Sequence, residues 1–270
     1  MQAHRLDPSQ TPMMAAVHWL LGRAEGGTLD LSDTLVATPG SRAGRVLVTL
    51  LAQACKERGL ILLPPQTVTA GGLAEALAPA ERPAGDVHRT LAWRQVLGEA
   101  PRELLGQVLP ETEDPAQWAD EVALAADELA RGGFRCRDVA EAELPPLEPP
   151  ERWQALGELQ QGYETLLASS GLSDPTLHAL DSADAGAGLR AIVLIACTDL
   201  SNIARRLLSK ARCEVHVLTA LDAGLEADGV VDAAYWDKAD IDVDPQRVFV
   251  TGGPAEQGAL AVRAAVDMGT

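Results

Sequence analysis

Apolar positions recur along the chain in two alternating rhythms. Thr34–Thr38 (TLVAT) is a short continuous apolar run, and a turn carrying Pro39 and Gly40 follows it. From Arg42 to Arg58 the spacing changes to that of a helix, with Val46, Leu47, Leu50, Leu51 and Ala54 on one side and Gly59 at the C′ position. A helix over Met13–Arg23 is expected before this unit, after a leader over residues 1–12 without regular structure. Leu60–Leu63 reads as a second buried strand stopped by Pro64-Pro65, and Thr69 caps a short helix reaching Leu77. From Pro79 to about Leu189 strand patterns vanish. Helices are expected over 86–97, 102–109, 115–132, 150–169 and 175–181, with a rigid turn at Pro145-Pro146 and Pro149-Pro150. Arg190–Ala196 (RAIVLIA) is apolar without alternation, as a parallel strand buried on both faces must be. A helix from Ser201, strands at Glu214–Thr219 and Val248–Thr251, and a helix opened by Pro254 complete the order.

This succession predicts an α/β fold with a doubly wound, mainly parallel sheet and a large all-helical insertion. The expected parts are residues 1–78 and 189–270 for the α/β domain and residues 79–188 for the insertion. Trp93, Trp118 and Trp153 fall one in each of three long helices, as core anchors.

Composition narrows the function. Of 270 residues, 47% are hydrophobic but only 3% aromatic, so Ala, Leu and Val must fill the core. The formal net charge is −17, which argues against a free-standing nucleic-acid binder and leaves room only for local basic patches. Cys55, Cys136, Cys197 and Cys213 form no C-x-x-C pair, and the five His are equally dispersed, so no metal-ligand spacing is present. The thiol pattern fits a reducing, cytoplasmic setting. The opening MQAHRLDPSQ is too polar for a signal peptide, and no apolar stretch is long enough for a membrane helix.

The strand–turn–helix at Asp33–Leu47 has the layout of a phosphate-binding loop, G-x-x-x-x-G-K-[ST]. Pro39 stands at the first Gly, Gly40 and Ser41 follow in the turn, and Gly44 keeps the second Gly. Arg45 replaces the Lys and Val46 the Ser or Thr. A helix start can attract an anion with its free amides, but hydrolysis needs a Lys on the β- and γ-phosphates and a hydroxyl on Mg²⁺. Val46 cannot supply the hydroxyl. The second acidic motif is displaced too, since RAIVLIA leads to Cys197 and only then to Asp199, which would sooner cap the helix near Ser201. Two degraded motifs at the two correct places point to a nucleotide-hydrolase scaffold without hydrolysis.

In LVATPGSRAGRVLVTLLAQACKERG, LLPPQTVTAGGLAEALA, RAIVLIACTDLSNIARRLLSKA and VFVTGGPAEQGALAVRAA the chain resembles the N-terminal part of the bacterial AddB-type component of ATP-dependent helicase/nucleases, which belongs with the PD-(D/E)XK nuclease family proteins. The resemblance implies a P-loop, helicase-like domain that serves as a non-catalytic scaffold and DNA-engaging surface in double-strand-break processing. It also implies a nuclease domain after the present chain and an active helicase subunit as partner. DNA contacts would fall to Ser41, Arg42 and Arg45 at the loop and to Arg205, Arg206 and Lys210 on the later helix. No cofactor is expected here: Arg45 and Val46 weigh against ATP with Mg²⁺, and the Cys spacing gives no iron–sulfur ligand set. Two other readings stay open. One is a P-loop-type nucleotide-binding enzyme in which Arg45 still grips a phosphate. The other is an interaction domain whose helical insertion docks a partner subunit.

Overall fold

In the computed structural model, which describes residues 1–7, 9–141, 149–221, 223–240 and 250–268, seven strands fall into two parallel sheets. They are β1 (Gln2–Arg5), β2 (Thr28–Asp30), β3 (Thr34–Thr38), β4 (Ile61–Leu63), β5 (Gln66–Thr69), β6 (Ala191–Ile195) and β7 (Glu214–Thr219). The main sheet has the order β1-β7-β6-β3-β5, and β2 and β4 pair separately. Every residue of β3 and β6 is buried, and the two strands lie side by side with Leu35 opposite Ile192 and Ala37 opposite Leu194. Their lack of alternation in sequence is the mark of strands covered on both faces.

Right-handed crossovers decide which helix covers which face. The chain steps from β3 outward to β5 through α2 (Ser41–Arg58), and from β6 the opposite way to β7 through α10 (Asn202–Lys210). Opposite directions with one hand put these helices on opposite faces. Leu47 and Leu51 of α2 accordingly pack with Val36, Val193 and α1 (Pro12–Leu21), whereas Ile203 and Leu207 of α10 pack with Leu35 and Ile192. The α/β class and the parallel doubly wound arrangement are thus as the patterning predicts.

The α10 face also carries α3 (Leu73–Leu77) and the helical segment. That segment consists of α4 (Asp86–Glu99), α5 (Arg102–Val108), α6 (Ala119–Gly132), α7 (Cys136–Glu141), α8 (Pro150–Ser169) and α9 (Pro175–Asp181). Trp93, Leu97, Leu159 and Tyr163 share one continuous core with the sheet residues Leu35 and Leu194. Met1–Asp232 accordingly forms one compact unit. The second unit, Ala233–Thr270, contains α11 (Ala233–Trp236) and α12 (Pro254–Met268), with Gly252 N–H bonded to Glu256 Oε2 at 2.8 Å just before α12.

Several expectations are corrected. Residues 2–5 are not a leader but the outermost strand, held by β7. Leu60–Leu63 is not a buried strand, since Ile61 and Leu63 are exposed, and it does not enter the main sheet; β4 pairs with β2, and β5 takes the place beside β3. Helix α7 was not foreseen, since six residues give too little periodicity. Trp93 is a core anchor stacked on Tyr163 at 4.5 Å, while Trp118 and Trp153 are only half-buried. The turn expected at Pro145-Pro146 and the first two residues of the expected strand, Val248 and Phe249, lie outside the described residues, and Val250 and Thr251 are in no strand. Among the described residues no helix is long and apolar enough to cross a membrane.

Candidate functional site

In an open parallel sheet the crevice for ligands lies beyond the carboxyl ends of two neighbouring strands whose connections leave in opposite directions. Here those strands are β3 and β6. The turn after β3 comprises only Pro39 and Gly40, because Gly40 is already the N-cap of α2, in extended conformation and with no side chain capping the helix. Thr38 ties the turn by donating its hydroxyl to the Gly40 carbonyl at 3.1 Å.

The helix therefore begins where a phosphate loop would still be wrapping its ligand. Ser41, Arg42 and Ala43 form the first helical turn, and the Gly44 amide is already bonded to the Gly40 carbonyl at 3.3 Å. The amides of residues 41–43 remain outside the helical ladder. They make an ordinary helix start rather than a closed cradle. Gly44 is buried against Thr38 and Thr67, and a Cβ there would meet Thr67 Cβ at 3.3 Å. Arg45 and Val46 line a shallow hollow of about 370 Å³ with Arg42, Thr49 and Leu50, made wholly of α2 residues. Arg42 and Arg45 have no side-chain ion pair or hydrogen bond among the described residues.

The β6 side of the crevice is closed by its own chain. Ala196 sits in the left-handed region at φ 50°, and its amide extends the ladder to the Leu218 carbonyl at 2.9 Å. Cys197 follows, buried, with its thiol pushed up to about 12 by desolvation and so unreactive at neutral pH. The segment after β7 folds back here: Val231 N–H reaches the Thr198 carbonyl at 3.0 Å. Gly229, at φ 83°, leaves no room for a Cβ, which would come within 2.5 Å of Val217. Asp199 is exposed and does not cap α10. Ser201 does, accepting from the Ala204 amide at 3.2 Å.

The five candidate cations divide. Arg42 and Arg45 lie on α2, and Arg205, Arg206 and Lys210 lie on α10 across the sheet, so they form two groups and not one patch. The α10 group is engaged internally. Arg205 donates to Asp228 and Glu226, both at 2.5 Å, Arg206 donates to the Leu180 carbonyl, and Lys210 reaches the Ser182 carbonyl at 3.4 Å. These three side chains fasten α10 to its neighbours.

Further polar clusters among the described residues have no counterpart in the sequence reading, and two of them bear on stability. Within the helices, Arg89 pairs with Asp174 (2.9 Å) and Asp127, and the Tyr163 hydroxyl donates to Asp174 at 2.6 Å. At the sheet edge His4 Nε2 and His216 Nδ1 are 3.0 Å apart, with Arg23 Nη2 2.6 Å from the other His216 nitrogen. Asp174-Pro175 carries a helix-start signal in sequence, but the partners that Asp174 gathers come from other helices and give none. Among the described residues no group of three His, Cys, Asp or Glu could hold a metal.

Compared with known proteins, the chain matches no family model and no curated sequence.

Proposed function

We propose that this chain is a non-catalytic, helicase-like scaffold that engages DNA through the start of α2, within a larger protein processing double-strand breaks. One observation carries the reading. At the carboxyl edge of a doubly wound parallel sheet, a strand–turn–helix keeps the position of a phosphate loop but presents, on an open helix face, two arginines unpaired among the described residues. Such cations beside unengaged helix-start amides favour a phosphate backbone, and an open face suits a polymer better than a small nucleotide. The lost hydroxyl at Val46 and the engaged Gly44 amide speak for a site without hydrolysis. A net charge of −17 calls for weak, salt-sensitive contact by this chain alone, strengthened by the parent protein, its nuclease domain and a helicase partner.

The test pairs two titrations of the chain. A fluorescent ATP analogue, with and without Mg²⁺, is expected to show no saturable binding. A tailed DNA duplex at about 50 mM salt is expected to bind, with affinity about tenfold lower for Arg42→Ala/Arg45→Ala and a shallower salt slope. Mg²⁺-dependent nucleotide binding lost in Arg45→Ala would replace this reading with a nucleotide-binding enzyme.

A further inference from the structure

Helices α4, α5 and α8 leave between them an open groove of about 600 Å³. Its apolar lining is the buried Leu159 with the half-buried Val96, Ala100, Leu104 and Leu166, and α8 adds the polar side chains of Gln161, Thr165 and Ser169. Gly162 of α8 also lines it and has no side chain; a Cβ there would sit 3.5 Å from a Val96 methyl. The ionisable side chains lining the groove are Glu99 and Glu158, and among the described residues no Lys or Arg lines it.

These features restrict the occupant. The walls belong to helices, whose interior backbone groups are bonded within the helix, so no strand can be added along them, and recognition must work through side chains. The acids disfavour nucleic acid. A second copy of this chain would bring Glu99, Glu158 and a net charge of −17 against themselves. An apolar trough with acidic rims instead complements an amphipathic helix whose apolar stripe is flanked by Lys or Arg. We infer that this groove is a docking site for a basic amphipathic helix of a partner protein. Its residues are separate from those of the α2 site, so either reading can fail without the other.

The probe is a fluorescein-labelled Leu/Lys peptide with leucines at i, i+3, i+4 and i+7, titrated with the 270-residue chain at about 150 mM salt to suppress long-range attraction. A matched Leu/Glu peptide serves as the control. Saturable binding of the Leu/Lys peptide alone is expected. Glu99→Lys/Glu158→Lys, two surface changes that spare the core, should weaken it at least about tenfold. Gly162→Leu, which places a side chain in the groove, should do the same. Glu57→Lys/Glu111→Lys changes the net charge equally on other exposed positions and should leave affinity within about twofold. Equal weakening by both charge pairs would reduce the effect to bulk attraction and overturn the site. So would binding indifferent to Gly162→Leu in a folded variant, or no binding at all. Self-association in sedimentation that Gly162→Leu abolishes would hand the groove to a second copy and likewise overturn the proposal.

Discussion

A carbon placed on Gly44 of α2 would lie 3.3 Å from Thr67 Cβ and 3.4 Å from Thr67 Oγ1 on β5, with Thr38 Oγ1 also at 3.4 Å. The one glycine kept from the phosphate-loop pattern thus has a packing reason, because it lets α2 close on β3 and β5. Gly44→Ala exchanges a helix-propensity gain of up to about 1 kcal/mol for an overpacking cost of about 1–3 kcal/mol. Urea denaturation should show a net loss of about 1 kcal/mol, and Gly44→Val a loss of about 3 kcal/mol. An unchanged midpoint for Gly44→Val would mean that the neighbours yield freely and that packing does not explain the glycine.

Asp174 and Asp127 both pair with Arg89 but should respond differently to substitution. The Asp174 side chain also accepts from the amides of Thr176 (2.9 Å) and Leu177 (3.0 Å) and from Tyr163, and it is almost fully buried. Asp174→Ala uncaps α9, leaves the Tyr163 hydroxyl without its acceptor and leaves the half-buried Arg89 with Asp127 alone, so a loss of about 3 kcal/mol is expected. Burial raises the Asp127 carboxyl above its ordinary range even though Arg89 opposes that shift. A carboxyl raised in the folded state holds its proton more tightly there, so ionising it costs stability as pH rises past the unfolded value. Asp127→Asn mimics the protonated form and should cost less than about 1 kcal/mol at pH 7. A loss as large as that of Asp174→Ala would show that the pair with Arg89 outweighs burial.

The His4–His216 contact makes the β1 edge sensitive to acid. Arg23 Nη2 lies 2.6 Å from His216 Nε2, and His216 Nδ1 lies 3.0 Å from His4 Nε2. Glu214 Oε2 lies 3.0 Å from the same Nε2 and 3.7 Å from Arg23 Nη1, and the Trp19 ring lies under the guanidinium. Burial, then His216, then Arg23 lower the His4 value below its ordinary 6.5. A depressed imidazole binds its proton better in the unfolded chain, so stability falls as pH drops below about 6.5. Hydrogen exchange, corrected for intrinsic rate, should show the Leu6 amide, bonded to the Thr219 carbonyl, losing protection between about pH 7 and 5. His4→Gln should flatten that dependence. An identical profile in the variant would place the sensitivity elsewhere.

The two arginine groups should separate into binding and folding roles. Arg205→Ala removes two ion pairs that hold the 226–228 segment to α10, and a stability loss of about 1 kcal/mol is expected, tempered by partial exposure. Its effect on DNA affinity should stay within about twofold. Arg42→Ala/Arg45→Ala should do the reverse, lowering affinity with the thermal midpoint unchanged. If Arg205→Ala weakened DNA binding as much as the α2 pair does, the division between the faces would be lost.

Local patterning was enough to assign the kinds of element and much of their extent. The helices Pro150–Ser169 and Pro175–Asp181, the central strands β3 and β6 and the left-handed Gly59 after α2 follow from periodicity and end signals, which act within a few residues. That Arg45 and Val46 depart from the phosphate-loop pattern is likewise legible by residue type alone. The remainder needed the folded chain. Gln2–Arg5 is a strand only because β7 offers an edge to it. The apolar run Leu60–Leu63 predicts a buried strand, but its pairing with β2, well before it in the chain, leaves Ile61 and Leu63 exposed outside the main sheet. Cations close together in α10 looked like a surface patch until the fold supplied acids and carbonyls from distant segments. The reason is common to all three: pairing energies depend on distance through space, and a sequence pattern records only distance along the chain.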